Sequence, residues 1–232
     1  MTTPFRDRRD GGRHLGAILR ARSYRNPIVL ALPRGGVPVA FEVATAIGAD
    51  LDVFVVRKLG VRGHEELAMG AIASGGVRVL MPEIVRGLGV TDDVIERVTS
   101  RERIELARRE HEYRGERPFP LLEGRTVIIV DDGVATGASM LAAIRAVRAQ
   151  RPALVVAAAP VMSTEARAML LDHADACEAV KVPEDFIAVG AWYGDFSQTT
   201  DEEVTALLRV AFARTPHDGK PVDGAIATGA VT

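Results

Sequence analysis

An α/β fold with a mainly parallel, twisted sheet flanked by helices is what the sequence predicts, and three features predict it. Short apolar runs alternate with amphipathic helical stripes, two of those runs end in small-residue turns that lead straight into a stripe, and residues 53–56 form an unbroken apolar run like a strand buried on both faces. The chain has 232 residues, 47% hydrophobic and 26% charged, enough for one packed domain rather than a disordered chain.

The first unit is a strand at residues 28–32, the turn Pro33-Arg34-Gly35-Gly36, and a helix carrying Val37, Ala40, Phe41, Ala44 and Ile47. A second strand at 53–56 ends at Arg57-Lys58. Residues 57–76 lose periodicity and contain Gly60, Gly63, Gly70, Gly75 and Gly76, which reads as a long loop or a pair of weak strands. Residues 91–113 then read as a charged helix with Thr91 as N-cap and the pairs Arg101/Glu105 and Glu105/Arg109 one turn apart. The clearest strand is 126–130, followed by Asp131-Asp132-Gly133-Val134-Ala135-Thr136-Gly137-Ala138-Ser139 and a stripe of Met140, Leu141, Ile144 and Val147. A buried strand at 154–159 precedes a helix marked by Ala166, Met169 and Leu170. Residues 180–196 mix Pro183, Gly190 and Gly194 with Phe186, Trp192, Tyr193 and Phe196. One more helix follows on Val204, Leu207, Leu208, Ala211 and Phe212. Residues 1–214 are expected to form one domain, and 215–232, which carry no stripe, a disordered tail.

Composition narrows the function classes. A net charge of −2 gives no general attraction to nucleic acid or an anionic membrane. The start of the chain lacks an apolar h-region and no run is long enough to span a bilayer, so a cytoplasmic location without membrane contact is expected. Cys177 is alone and reads as a small core residue. The five histidines show neither an i,i+4 pair nor zinc spacing, so a metal cage built from protein ligands is not expected.

Chemistry concentrates at residues 131–139. A helix N-terminus offers free N–H groups and a positive dipole end to a phosphate. Ala135, Gly137 and Ala138 let the backbone approach an anion, while Thr136 and Ser139 add hydroxyl donors. Asp131 and Asp132 stand at the carboxyl end of the strand, where open α/β sheets bind ligands, and can accept hydrogen bonds from a sugar diol. Phosphate beside paired hydroxyls describes a ribose 5-phosphate. Neither a Walker loop nor G-x-G-x-x-G occurs.

The run Val130-Asp131-Asp132-Gly133-Val134-Ala135-Thr136-Gly137-Ala138-Ser139 resembles the signature of the type I phosphoribosyltransferases. The resemblance spans roughly residues 26–200 and is nearest to small bacterial members without an assigned substrate. It implies that Asp131 and Asp132 hold the ribose hydroxyls of 5-phosphoribosyl 1-pyrophosphate, with Asp131 a candidate metal contact through water. It also implies that Ala135, Thr136, Gly137, Ala138 and Ser139 hold the 5′-phosphate. Arg34-Gly35-Gly36 resembles the pyrophosphate loop, and Arg57-Lys58 the basic pair that opens the catalytic loop; a bland turn and surface cations are the competing readings. His64 lies in that loop, and a surface histidine is its commoner role. Residues 181–190 resemble the hood of hypoxanthine-guanine enzymes, with Phe186 as base platform or, alternatively, core packing. The family fold implied is a core at about 26–180 with a small hood at about 181–200 joined by the N-terminal helix. The implied activity is transfer of the ribose 5-phosphate to a nitrogen acceptor, a nucleobase by preference, with Mg²⁺ bound mainly through pyrophosphate; a homo-oligomer is left open.

Two departures limit the resemblance. Ala135 stands where purine-salvage enzymes carry an acid used on the base, and Ala159-Pro160-Val161-Met162-Ser163 lacks the oxopurine-reading lysine. The general base and acceptor are therefore unassigned, and a regulator that senses phosphoribosyl pyrophosphate or a nucleotide without turnover is the alternative.

Overall fold

The computed structural model describes residues 3–61 and 64–214. Its elements run α1 (Arg8–Arg20), β1 (Pro27–Ala31), α2 (Gly36–Ile47), β2 (Asp50–Val53), β3 (Val56–Val61), β4 (His64–Ala73), β5 (Val77–Leu80), α3 (Pro82–Gly87), α4 (Asp92–Arg114), β6 (Thr126–Val130), α5 (Ala138–Arg148), β7 (Leu154–Val161), α6 (Thr164–Leu171), β8 (Ala176–Lys181) and α7 (Asp201–Arg214), with a 3₁₀ turn at Val189–Trp192 before α7. Five strands form a parallel sheet in the order β2-β1-β6-β7-β8, and three form a separate antiparallel sheet, β3-β4-β5. The expected parallel sheet flanked by helices is the observed architecture.

Period-two geometry splits each central strand between two cores. Val29, Ala31, Ile128 and Val130 pack with Leu15 and Leu19 of α1 and Val39 and Val43 of α2. Ile28, Leu30, Val127 and Ile129 pack on the other face with Met140 and Ile144 of α5 and Leu170 of α6. Each such fully buried side chain contributes roughly 1.5–3 kcal/mol, which is why these strands carry no polar face. Cys177 sits in the second core with its thiol 3.3 Å from Met162 Sδ.

Strand order also fixes where a ligand can enter. From β1 the chain moves outward to β2, then returns through β3–β5 and α4 to place β6 on the other side of β1. That reversal opens a crevice at the carboxyl ends of β1 and β6. The turns following those two strands are the two small-residue turns of the sequence.

The structure decides one open reading and corrects two others. Of the long loop and the paired strands left open for 57–76, the described residues take the strands: β3 lies antiparallel to β4, and β4 to β5. Register shifts around Gly60 interrupt the alternation by which a strand is recognised. Gly70 is a packing requirement, since a Cβ there would lie 2.3 Å from the Val79 carbonyl oxygen of β5. On α4, Arg101 bonds Glu102 rather than Glu105, which instead holds Arg108 and Arg109. Thr91 occupies the N-cap position of α4, but its side chain makes no capping hydrogen bond. The expected tail at 215–232 and the His64 side chain lie outside the described residues.

The carboxyl end of α4 is pinned to β2 by a buried ion pair. Arg114 donates from Nε to Asp52 Oδ1 at 3.0 Å and from Nη2 to the Val53 carbonyl at 3.0 Å, with side chains only 4% and 7% exposed for Arg114 and Asp52. Burial pushes the Asp52 carboxyl upward while the guanidinium pulls it back. Removing one partner strands the other, so Arg114→Ala should destabilise the fold by about 3–5 kcal/mol in urea denaturation. A loss below about 1 kcal/mol would show that the pair is not what fixes α4.

Candidate functional site

The site begins where β6 ends. All five residues of β6 are buried, and Asp131 is held at the strand end by its own N–H bonding to the Ala158 carbonyl at 3.2 Å. The Asp132 N–H then turns back to Asp131 Oδ1 at 2.9 Å, so the two carboxylates leave the sheet side by side. Desolvation, reinforced by the Asp132 charge, raises the Asp131 carboxyl well above the usual carboxylate range; the Asp132 N–H and Arg8 act in the opposite direction.

The loop after β1 meets this pair at backbone distance. A Cβ at Gly35 would lie 2.1 Å from Asp132 Oδ2, and one at Gly36 would lie 2.7 Å from the Val130 carbonyl oxygen. Only glycine lets the two turns touch. The Pro33–Arg34 peptide bond in this loop is cis. Arg34 Nη1 is 3.3 Å from Asp201 Oδ2 at the start of α7, and the Tyr113 hydroxyl donates to the other oxygen of Asp201 at 2.5 Å.

On the opposite side, the turn leading into α5 forms an open cradle. Gly137 takes φ +76° at the N-cap, where a Cβ would also meet Met169 Cε at 2.6 Å. Ser163 braces the turn from behind, its Oγ donating to the Ala135 carbonyl at 2.7 Å. Ala135, Thr136, Ala138 and Ser139 are exposed, and the first-turn N–H groups of α5 lack intrahelical partners by the geometry of any helix start. Cradle, acid pair and glycine turn thus lie around one crevice.

The basic pair divides between two neighbours, as consecutive strand residues must. Arg57 forks onto Glu102 Oε2 of α4 at 2.9 and 2.6 Å, whereas Lys58 lines a cavity of about 320 Å³ together with Gly60, Met81 and Ala138. Lys58 thereby faces the same helix start as the cradle. Phe186 is half-buried in the irregular stretch between β8 and the 3₁₀ turn, and three residues later Val189 packs directly on Gly133.

Several contacts at the crevice had no signal in linear sequence. Arg8, the first residue of α1, donates from Nε to Asp132 Oδ2 at 2.7 Å and from Nη1 to the Ser197 carbonyl at 2.6 Å, with its guanidinium 3.9 Å from the Phe196 ring centroid. The Tyr193 hydroxyl donates to the Asp132 carbonyl, and its ring stacks on Phe196 at 5.2 Å. Burial and then the Asp132 charge push the Tyr193 phenol upward, keeping it a donor. A separation of 124 residues between Arg8 and Asp132 hides this contact from any local pattern.

Comparison with known proteins adds an independent line. The model of the phosphoribosyl transferase domain matches residues 8–191. Two Mycobacterium tuberculosis proteins, from strains CDC 1551 and H37Rv and provisionally named phosphoribosyl transferases, are each 46% identical over 204 residues; the match covers 88% of this chain but only 46% of either relative. The chain therefore spans about half the length of those relatives. The solved structure of TT1426 from Thermus thermophilus is similar at a TM-score of 0.81 and 48% identity, covering 89% of this chain and 98% of that one. With the family model matching most of the chain and the acid pair, cradle and glycine turn assembled at one crevice, this chain belongs to the phosphoribosyl transferase domain family.

Proposed function

We propose that the chain binds 5-phosphoribosyl 1-pyrophosphate and transfers its ribose 5-phosphate to a nitrogen acceptor. The observation that carries this reading is the assembly of Asp131 and Asp132 between the open cradle of 135–139 and the glycine turn of 34–36. In this reading Thr136, Gly137, Ala138 and Ser139 cradle the 5′-phosphate, with Ala135 opening the turn. Asp131 and Asp132 accept from the ribose hydroxyls, and the turn Arg34-Gly35-Gly36 receives the pyrophosphate, with Gly36 giving close approach while its own N–H stays on the Leu32 carbonyl at 3.1 Å. The C1–O bond to pyrophosphate breaks with its electron pair leaving on oxygen. A C1–N bond forms from the acceptor's lone pair, and the acceptor's proton passes to water. The protein's part is positioning and stabilising charge on the leaving group. Of the two candidates, Arg57 and Lys58, this reading gives the task to Lys58, since Arg57 is bonded to Glu102 while Lys58 lines the cavity that also borders Ala138.

The residues fit a Mg²⁺ ion held chiefly by the substrate. Among the described residues no group of three or more His, Cys, Asp or Glu could hold a metal by itself. Mg²⁺ characteristically uses one or two carboxylates plus phosphate oxygens and water, and Asp131 is the carboxylate placed for a contact through water. When bound, the ion would neutralise pyrophosphate oxygens and ease their departure. Phe186 would supply the stacking face for a flat acceptor, stacking being worth about 1–3 kcal/mol per base whatever its identity. A cytoplasmic setting fits this chemistry, and no helix among the described residues is long and apolar enough to cross a membrane.

Pyrophosphate release with Mg²⁺, donor and a panel of nitrogen heterocycles tests the reading. Asp131→Asn with Asp132→Asn should weaken donor binding by about 2–5 kcal/mol in calorimetry, each change removing a charged acceptor. Unaltered affinity would remove the acids from the ribose site. A protein that binds donor yet releases no pyrophosphate with any acceptor would be a sensor on this fold.

Donor affinity should also depend on pH in a defined direction. The Asp131 carboxyl is raised in the free protein, so the fold favours its neutral form; that contribution is present at low pH and lost as pH rises through its folded value. A ribose hydroxyl or hydrated cation favours the carboxylate, so binding should release a proton and tighten with rising pH across that window. Calorimetry in buffers of different ionisation enthalpy measures the proton count, and zero release at every pH would contradict the assignment. For Lys58→Ala, turnover at saturating substrate should fall about 10²-fold or more with donor affinity little altered, as expected for a transition-state cation.

A further inference from the structure

We propose that Arg8 is a positioning residue for the ribose-binding acids: the first residue of α1 holds one oxygen of Asp132 so that the other is presented to the donor. The proposal rests on the donor reading above and assigns a role to a residue outside the signature.

Three contacts hold the guanidinium in place. Nε meets Asp132 Oδ2 at 2.7 Å, Nη1 meets the Ser197 carbonyl at 2.6 Å, and the planar group covers Phe196 at 3.9 Å. The Arg8 and Asp132 side chains are only 12% and 15% exposed, so this pair lies where water screens weakly, unlike the solvent-facing pairs of α4. The same Asp132 oxygen is the one pressed toward Gly35, whose hypothetical Cβ would also lie 3.3 Å from Arg8 Nε. Asp132 Oδ2 is thus enclosed by the guanidinium and the glycine turn, while Oδ1 has no hydrogen bond among the described residues. A carboxylate with one oxygen fixed by a fork-shaped donor has its second oxygen aimed without further entropy cost.

The contact also joins distant parts of the chain. Phe5 N–H bonds the Trp192 carbonyl, and the N–H groups of Gly194 and Asp195 bond the Phe5 and Arg6 carbonyls, so the start of the chain runs beside 192–195 before α1 begins. Asp7 caps α1 by accepting from the Asp10 N–H at 2.7 Å, which fixes the helix start from which Arg8 projects. Ser197 lies beyond the residues matched by the family model, so the far anchor of Arg8 comes from outside the shared span.

The test measures Mg²⁺-dependent binding of 5-phosphoribosyl 1-pyrophosphate by calorimetry for the wild type, Arg8→Gln and Arg8→Lys, beside binding of inorganic pyrophosphate, which lacks the ribose diol, with thermal melts as a folding control. The Arg8→Gln variant should bind the donor about 10- to 100-fold more weakly while its affinity for pyrophosphate stays within about twofold of the wild type. Arg8→Lys keeps the charge, but a single ammonium cannot hold both Asp132 and Ser197 as the fork does, so donor affinity should recover only in part. Donor binding by Arg8→Gln equal to or tighter than the wild type would overturn the proposal, and so would an equal loss for donor and pyrophosphate, because Arg8 would then be a plug or a structural pin. Failure of the wild type to bind donor sinks the donor reading, whereas a wild type that binds donor and an Arg8→Gln variant that binds it as well sink the positioning role by itself.

Discussion

Two carboxylates at the end of one buried strand create a problem that much of the surrounding structure answers. Asp131 and Asp132 follow five buried residues of β6, so neither has bulk water on the sheet side to absorb its charge. Burial, and then their mutual repulsion, raises the Asp131 carboxyl, and two devices act against it: the Asp132 N–H on Asp131 and the Arg8 guanidinium on Asp132, while the bare Gly35 backbone leaves the second carboxylate room. Tyr193 adds a donor to the Asp132 carbonyl.

The topology around the acid pair suits the proposed reading. An anion cradle, a diol acceptor and a turn for a second phosphate cannot all come from a single strand end, because its loop leaves in one direction only. The reversal of strand order between β1 and β6 brings two such loops together at one crevice. The antiparallel sheet inserted between β2 and α4 then presents Lys58 from a third direction, toward the helix start at Ala138. The buried Arg114–Asp52 pair anchors α4 to the sheet, and α4 in turn carries Glu102 and Tyr113, which hold Arg57 and Asp201.

What the sequence made legible follows the range of the interactions involved. The parallel sheet and the turn at 131–139 were readable because strand burial, helix starts and a phosphate-compatible loop are all encoded within about ten consecutive residues. The β3–β5 sheet was obscured because its glycines serve close strand approach and its register shifts at Gly60, so local alternation failed where pairing succeeded. Arg101 and Glu105 had the right spacing for a helix pair, yet Glu102 offered Arg101 a nearer and more buried partner. Arg8 and Asp201 carried no individual signal, while Tyr193 and Phe196 stood in the segment resembling a hood; what no local pattern could show is the contacts of Arg8 and Tyr193 with Asp132 and of Asp201 with Arg34 and Tyr113, which join residues 61 to 167 positions apart. Phe186 was the aromatic singled out by resemblance, while the aromatic system that touches the acid pair through Arg8 consists of Phe196 and Tyr193.

Burial separates the site's cations into those that can move and those that stay. Arg34 and Asp201 are 34% and 36% exposed at 3.3 Å, a pair of the kind worth about 0–1 kcal/mol, so an anion arriving at the glycine turn could draw Arg34 away at little cost. Arg57 and Glu102 are joined by two hydrogen bonds, with Glu102 only 10% exposed, and releasing Arg57 would leave Oε2 of that carboxylate without its partner while Arg101 kept Oε1. Arg8 is more enclosed than either of these arginines and has a carbonyl and an aromatic face besides its carboxylate. The three arginines therefore do not form one interchangeable pool of positive charge. On the proposed reading Arg34 is the one free to follow an incoming phosphate, Arg57 stiffens the base of the hairpin, and Arg8 stays with Asp132 while the other carboxylate oxygen is left for the donor.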